Sequence, residues 1–195
     1  MNSKILHQYL ERLSNLIRNE ARLSGMDYGL QPIQLEALHF LNNCNRYSDS
    51  PVGVTEYLGL TKGTVSQTLK VLHSKGLIKK IPDKKDKRTT HLKLTRAGEK
   101  LLEKAVPAAL LSNAYEQLPA EEKTQLINNL KGLLTTIQQS NTMKSFGVCH
   151  TCRFNRKVNI EQYFCELTQE ALSIKDIQLI CREHTCDTPV DNLDE

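Results

Sequence analysis

With 195 residues, a formal net charge of +4 and 39% hydrophobic residues, the chain can bury an ordinary core and carry an appendage, so it needs no disulfides to fold. No apolar run approaches the ~20 residues of a membrane span, and Met1-Asn2-Ser3-Lys4 leads into an amphipathic pattern rather than a signal peptide. A cytoplasmic protein with no membrane partner is expected, and in that reducing setting clustered cysteines suggest metal ligands or redox thiols before disulfides.

Ile5, Tyr9, Leu13, Leu16, Ile17 and Leu23 recur at three- and four-residue steps, which predicts an amphipathic helix over residues 2–24, ended by Gly25 and Gly29. Pro32 opens a second helix that Ile33, Leu35, Leu38, Phe40 and Leu41 carry to Asn43. Residues 45–53 read as a loop, 54–58 as a short helix and Gly59-Leu60 as a turn. Thr61 then supplies an N-cap, and Val65, Leu69 and Leu72 form the inward stripe of a helix that Gly76 stops. Lys62, Thr64, Ser66, Gln67 and Lys70 fall largely off that stripe. Residues 77–81 and 90–94 alternate like strands around a charged tip, so they read as a hairpin. Thr95 caps a further helix that Pro107 should interrupt, and residues 119–138 make a last long helix with Leu126, Ile127, Leu130, Leu133, Leu134 and Ile137 on one broad face.

The charge is unevenly placed. Residues 61–100 hold twelve Lys and Arg against three Asp and Glu, an excess of nine, so the rest of the chain is mildly acidic. A basic helix followed by a basic hairpin is the footprint of nucleic-acid binding, although a merely solvated face has a similar composition. Ser66, Gln67 and Lys70 are the types that meet base edges in a major groove, and Gln67 can pair with adenine through both amide atoms. Lys62 and Thr64 stand near a helix N-terminus, which favours phosphate.

The runs Leu60-Thr61-Lys62-Gly63-Thr64-Val65-Ser66, Leu72-His73-Ser74-Lys75-Gly76-Leu77-Ile78, Asp83-Lys84-Lys85-Asp86-Lys87-Arg88 and Leu92-Lys93-Leu94-Thr95-Arg96-Ala97-Gly98 resemble, in order and spacing, the MarR family of bacterial transcription regulators. The resemblance covers roughly residues 1–140. It implies a mainly α winged helix-turn-helix with a helical dimerisation region, a homodimer on double-stranded DNA, and a wing arginine, here Arg88, held by Asp86 beside Lys87. It also admits a small-molecule effector of unknown identity.

Beyond a linker at 141–148, residues 149–195 depart from that plan. Cys149-x2-Cys152, Cys165, Cys181 and Cys186 make five of the six cysteines, with His184 among them. A C-x2-C knuckle lets two thiolates converge on one metal, and two later cysteines complete a tetrahedral set. Cys149, Cys152, Cys165 and Cys181 are therefore the expected ligands of a small metal-binding C-terminal module. Zinc is favoured, an iron-sulfur cluster is the close alternative, and oxidisable thiols remain a third reading. His184 reads as a surface histidine or a substitute ligand, Cys186 as a spare ligand or redox thiol, and Cys44 as a small buried residue. Residues 172–182 read as a helix with Ser173 and Asp176 as a capping box. The whole is expected to be a non-enzymatic regulator. The alternative is an electron carrier or metalloenzyme that uses the winged helix for dimerisation, but Glu161, Glu166 and Glu183 show no catalytic spacing.

Overall fold

The computed structural model describes residues 2–84, 86–105, 109–140 and 145–185. The opening helix is α1 (Ser3–Met26), capped by the Asn2 side chain, which accepts from the Lys4 backbone N–H at 3.1 Å. Gly29 turns the chain at φ 60° into α2 (Pro32–Asn43). The next helix, α3 (Pro51–Leu58), starts three residues before the expected Val54. Ser50 caps it by accepting from Gly53 N–H at 3.1 Å, and Pro51 loses nothing at a first-turn position that has no N–H partner anyway. Gly53 is thus helical rather than part of the loop, and its backbone lies so close to the Ser48 carbonyl that a Cβ would collide.

Gly59 in the left-handed region joins α3 to α4 (Lys62–Ser74), where Thr61 caps the helix by accepting from Thr64 N–H at 3.2 Å. After Gly76, strands β1 (Ile78–Pro82) and β2 (Thr90–Leu94) pair antiparallel, with Ile78 opposite Leu94 and Pro82 opposite Thr90. Thr95 accepts from Gly98 N–H at 3.2 Å and opens α5 (Arg96–Ala105). Pro107 lies outside the described residues; α6 (Ala109–Glu116) follows it as a separate helix, and α7 (Ala120–Ser140) closes the N-terminal part. Leu38, Phe40, Val54, Val65, Leu72, Ile78 and Leu92 are the most deeply buried apolar side chains, and they bind α2, α3, α4 and the hairpin into one core. Each contributes on the order of 1.5–3 kcal/mol by leaving water.

The C-terminal module is β-structured where the sequence suggested a helix. Strands β4 (Asn155–Lys157), β5 (Gln162–Cys165) and β6 (Glu170–Ser173) form an antiparallel meander, and β3 (Gly147–Val148) pairs with β7 (Ile180–Cys181). Ser173 and Asp176 do cap one another, with Ser173 N–H donating to Asp176 Oδ2 at 2.8 Å and Asp176 N–H to Ser173 Oγ at 3.2 Å. What they cap is a single 3-10 turn at Asp176–Gln178, because Leu179 then extends and Ile180 pairs with β3. Strand pairing and the burial of Leu172 and Ile177 outweigh the local helical pattern.

The module packs directly on the N-terminal part. Phe146, at φ 47°, sets its ring edge-on to both Phe40 and Tyr57, which are themselves stacked with centroids 4.2 Å apart. Arg182 grips Glu56 of α3 through two bonds of 2.5 and 2.8 Å. Arg46 meets Glu170 at 2.6 Å, and Tyr47 hydroxyl bonds both Glu170 and Thr168.

Candidate nucleic-acid interface and cysteine site

Along α4 the inward stripe is Val65, Thr68, Leu69 and Leu72, so Lys62, Thr64, Ser66, Gln67 and Lys70 all face solvent. The Thr64 hydroxyl is engaged with that of Thr61 at 2.9 Å, whereas the Ser66, Gln67 and Lys70 side chains extend from the exposed face. At the wing tip Asp86 accepts from the Arg88 backbone N–H and from its Nε, both at 3.0 Å, and the Arg88 side chain is 92% accessible. These Arg88 bonds hold the Asp86 carboxyl below its ordinary pKa, so it stays a carboxylate that aims the guanidinium outward. Lys87 is exposed beside them.

Behind the wing stands a group that the sequence did not single out. Asp49, only 1% exposed, meets His91 Nδ1 at 2.5 Å and Lys93 Nζ at 2.5 Å, and its carbonyl accepts from Leu92 N–H at 2.6 Å. The second His91 nitrogen meets Asp83 at 3.0 Å. Hydrogen bonding to Asp49 and then to Asp83 raises the His91 pKa above 6.5. An Asp in a loop is ordinary in sequence; only the fold brings β2 against it.

Cys149, Cys152, Cys165 and Cys181 line one narrow cavity of about 10 Å³, the room of roughly one water-sized sphere. Asn45, Tyr47, Phe154, Asn155, Leu172 and Glu183 complete most of its wall. Two of the sulfurs receive N–H groups. Asn155 Nδ2 lies 3.5 Å from Cys149 and Thr185 N lies 3.5 Å from Cys152, while Asn45 stands in the cavity wall with Cys181. Burial pushes the Cys149 thiol up to about 11 and raises Cys181 as well, so thiolates there need a compensating positive charge. Among the described residues no group of three or more His, Cys, Asp or Glu already converges closely enough to hold an ion. The donor set nonetheless suits a soft cation: four thiols around one small space, with N–H groups aimed at two of the sulfurs.

His184 is 6% exposed rather than at the surface, with Nδ1 on Ser145 Oγ and Nε2 on Thr151 Oγ1, each at 2.9 Å. Both nitrogens are occupied, and the ring packs so tightly on Gly147 that only a glycine fits. Cys44 is buried, and burial first of all holds its thiol at about 12, which keeps it protonated and inert. Cys186 lies outside the described residues. Of the three acids weighed for a catalytic site, only Glu183 reaches the cavity wall, and its carboxylate also holds Arg182 at 2.9 Å.

The fold is a winged helix with an exposed polar and basic face on α4. Residues 28–89 match the family model of the MarR family. The chain is 28% identical over 134 residues, 63% of its own length and 86% of the other's, to the uncharacterized HTH-type transcriptional regulator YkoM of Bacillus subtilis (strain 168). The structure of a MarR transcriptional regulator from Methanosarcina mazei Go1 superposes with a TM-score of 0.60 at 18% identity, covering 71% of this chain and 99% of that one. The S. aureus MepR–DNA complex gives 0.54 at 27% identity, covering 68% and 98%. Both structures are matched almost end to end, which leaves nearly a third of this chain without a counterpart in them. Among the described residues no helix is long and apolar enough to cross a membrane.

Proposed function

We propose that the protein is a sequence-specific DNA-binding transcriptional regulator, a repressor, that acts as a homodimer and carries a zinc ion on Cys149, Cys152, Cys165 and Cys181. The observation that carries the DNA reading is the exposed face of α4 and the outward-aimed Arg88 on a fold shared with MepR, whose structure is a DNA complex. Ser66, Gln67 and Lys70 contact bases, Lys62 and Thr64 contact phosphate, and Lys87 and Arg88 enter the neighbouring minor groove with Asp86 as the guide. A fully exposed Arg and a wing held on buried Asp49 suit that task.

Two dimer-forming surfaces support the assembly. Leu6, Tyr9, Leu13 and Ile17 on α1 and Leu126, Ile127, Leu130 and Leu134 on α7 are exposed, although their spacing is that of buried faces. Zinc is preferred to an iron-sulfur cluster because four thiols on one small module match the tetrahedral sulfur set of structural zinc. When bound, the ion would supply the charge that keeps the buried thiols deprotonated and would cross-link a module whose own core is small.

Selection from a randomised duplex library tests the DNA reading. The expected product is a two-fold symmetric site with half-sites about 10 base pairs apart; recovery of no sequence preference would overturn it. Elemental analysis and an absorption spectrum of anaerobically purified protein test the site. One zinc per chain without visible colour is expected, with loss of zinc in Cys149→Ser/Cys152→Ser; a brown chromophore would replace zinc by iron and sulfur.

A further inference from the structure

The thiol cavity is not built by the C-terminal module alone. Asn45 and Tyr47, from the loop between α2 and α3, stand in its wall. Asn45 is 5% exposed, and its Oδ1 accepts from Ser48 Oγ at 2.8 Å and from Tyr47 N–H at 3.1 Å. The backbone is tied in the same place. Asn45 N–H donates to the Ile180 carbonyl at 2.9 Å, and the buried Ser48 hydroxyl accepts from Arg182 N–H at 2.8 Å. Both chain neighbours of Cys181 are therefore fastened to this loop.

The loop is fastened equally firmly to the wing. Its next residue, Asp49, holds His91 and Lys93 of β2, and His91 holds Asp83. Asp83 Oδ1 accepts from Asp86 N–H at 2.6 Å, and Asp86 positions Arg88. Sideways slack is small, because Asn45, Ser48 and Asp49 are all buried and α3 presses on the Ser48 carbonyl at Gly53.

We propose that the Asn45–Asp49 loop serves both sites: Asn45 is a positioning residue for Cys181 as a zinc ligand, and Asp49 transmits occupancy of the thiol site to the wing, so that the zinc-loaded protein binds its operator more tightly than the zinc-free protein. This rests on the thiol site binding zinc. Zinc draws sulfurs to about 2.3 Å from a common centre, closer than thiols that merely line a cavity. Holding Cys181 at that distance fixes its neighbours Ile180 and Arg182, and with them residues 45 and 48. The Asp49 carboxylate, which has two partners on β2, carries that placement into the hairpin. Loading therefore fixes the wing before DNA arrives, and preorganisation appears as affinity. The coupling is reciprocal, so operator must tighten zinc by the same factor.

The test uses full-length protein, zinc as the probe and the selected operator duplex. Operator affinity is measured on zinc-loaded and chelator-stripped samples, and zinc affinity by chelator competition with and without operator. Wild type is expected to show a factor of about ten in both directions. Asp49→Asn should keep its zinc and lose the factor, and Lys93→Gln, which cuts the same link from a more exposed side, should reduce it. Asn45→Ala removes the oxygen that holds Ser48 and Tyr47 and so loosens the loop behind Ile180 and Cys181. It should weaken zinc binding, and its operator affinity should return at saturating zinc. Equal operator affinity of loaded and stripped wild type, with zinc bound stoichiometrically, overturns the coupling and leaves the zinc site standing. A full factor retained in both Asp49→Asn and Lys93→Gln overturns the route. Wild type that holds no zinc at all removes the site reading and this inference with it.

Discussion

Arg88 reaches into solvent with only Asp86 to steer it, so its replacement should touch DNA binding and little else. Arg88→Ala is expected to weaken operator affinity and to lower the slope of log affinity against log salt by about one; binding by fluorescence anisotropy across a salt series measures both. His91 gives a different kind of prediction. Two carboxylates, Asp49 first and then Asp83, favour its protonated form and raise its pKa above 6.5. A raised pKa means that the imidazolium contributes its full stability below 6.5 and that this contribution is lost as pH rises through the folded-state value. Wild type should therefore lose more stability than His91→Gln between about pH 6 and pH 9 in urea melts. The pairing of Arg88 with Asp86 was legible through the resemblance to the MarR family, which implies a wing arginine held by an aspartate. His91 and Asp49 were not, since they lie 42 residues apart and meet only when β2 packs against the loop.

At the scale of elements, helix boundaries followed from capping chemistry wherever the cap was read correctly. Thr61 and Thr95 cap as expected, whereas Ser50, a loop residue by composition, caps α3 and starts it three residues before Val54. In the cysteine module, Ser173 and Asp176 imitate a helix start and deliver a single turn. No local pattern distinguishes the two outcomes, because β3, 33 residues away, supplies the partner that makes Ile180–Cys181 a strand. That pairing gives the module a sensitive point at Gly147, whose backbone lies against the His184 ring. Gly147→Ala should displace the ring, break its bonds to Ser145 and Thr151 and loosen the module from α2 and α3. Limited proteolysis would register this as faster cleavage within the C-terminal third, while the winged helix stays resistant. Phe146, packed with Phe40 and Tyr57, should tolerate Tyr better than Ala, and Phe146→Ala should cost on the order of 3 kcal/mol.

Across the whole molecule the long helices α1 and α7 expose apolar faces that the single chain leaves uncovered. A second copy that covers both would bury Leu130 and Leu134 together with the α1 face. Leu130→Asp/Leu134→Asp should then yield a monomer in sedimentation measurements with weakened operator binding, because two half-sites would no longer be read together. A wild-type chain that sediments as a monomer at micromolar concentration would remove the dimer from the proposal. The module adds a second level of organisation, since it contacts the winged helix through Phe40, Asn45, Ser48, Glu56 and Tyr57 rather than hanging from α7 as an independent tail.

The sequence by itself determined the order of helices and hairpin through residue 140, the exposed polar stripe of α4, the basic character of the hairpin and the cysteines as a group, because these are written in spacing and residue type; the Asp86–Arg88 pair came through the family resemblance. Only the tertiary structure decided that residues 149–185 form strands, that His184 is buried with both nitrogens engaged, and that Asn45, Ser48 and Asp49 stand between the thiols and the wing. Those features depend on partners 33 or more residues apart or on strand pairing that no nearby side chain announces. Hydrogen bonds of buried polar groups select them, since such groups must find a partner wherever the fold supplies one.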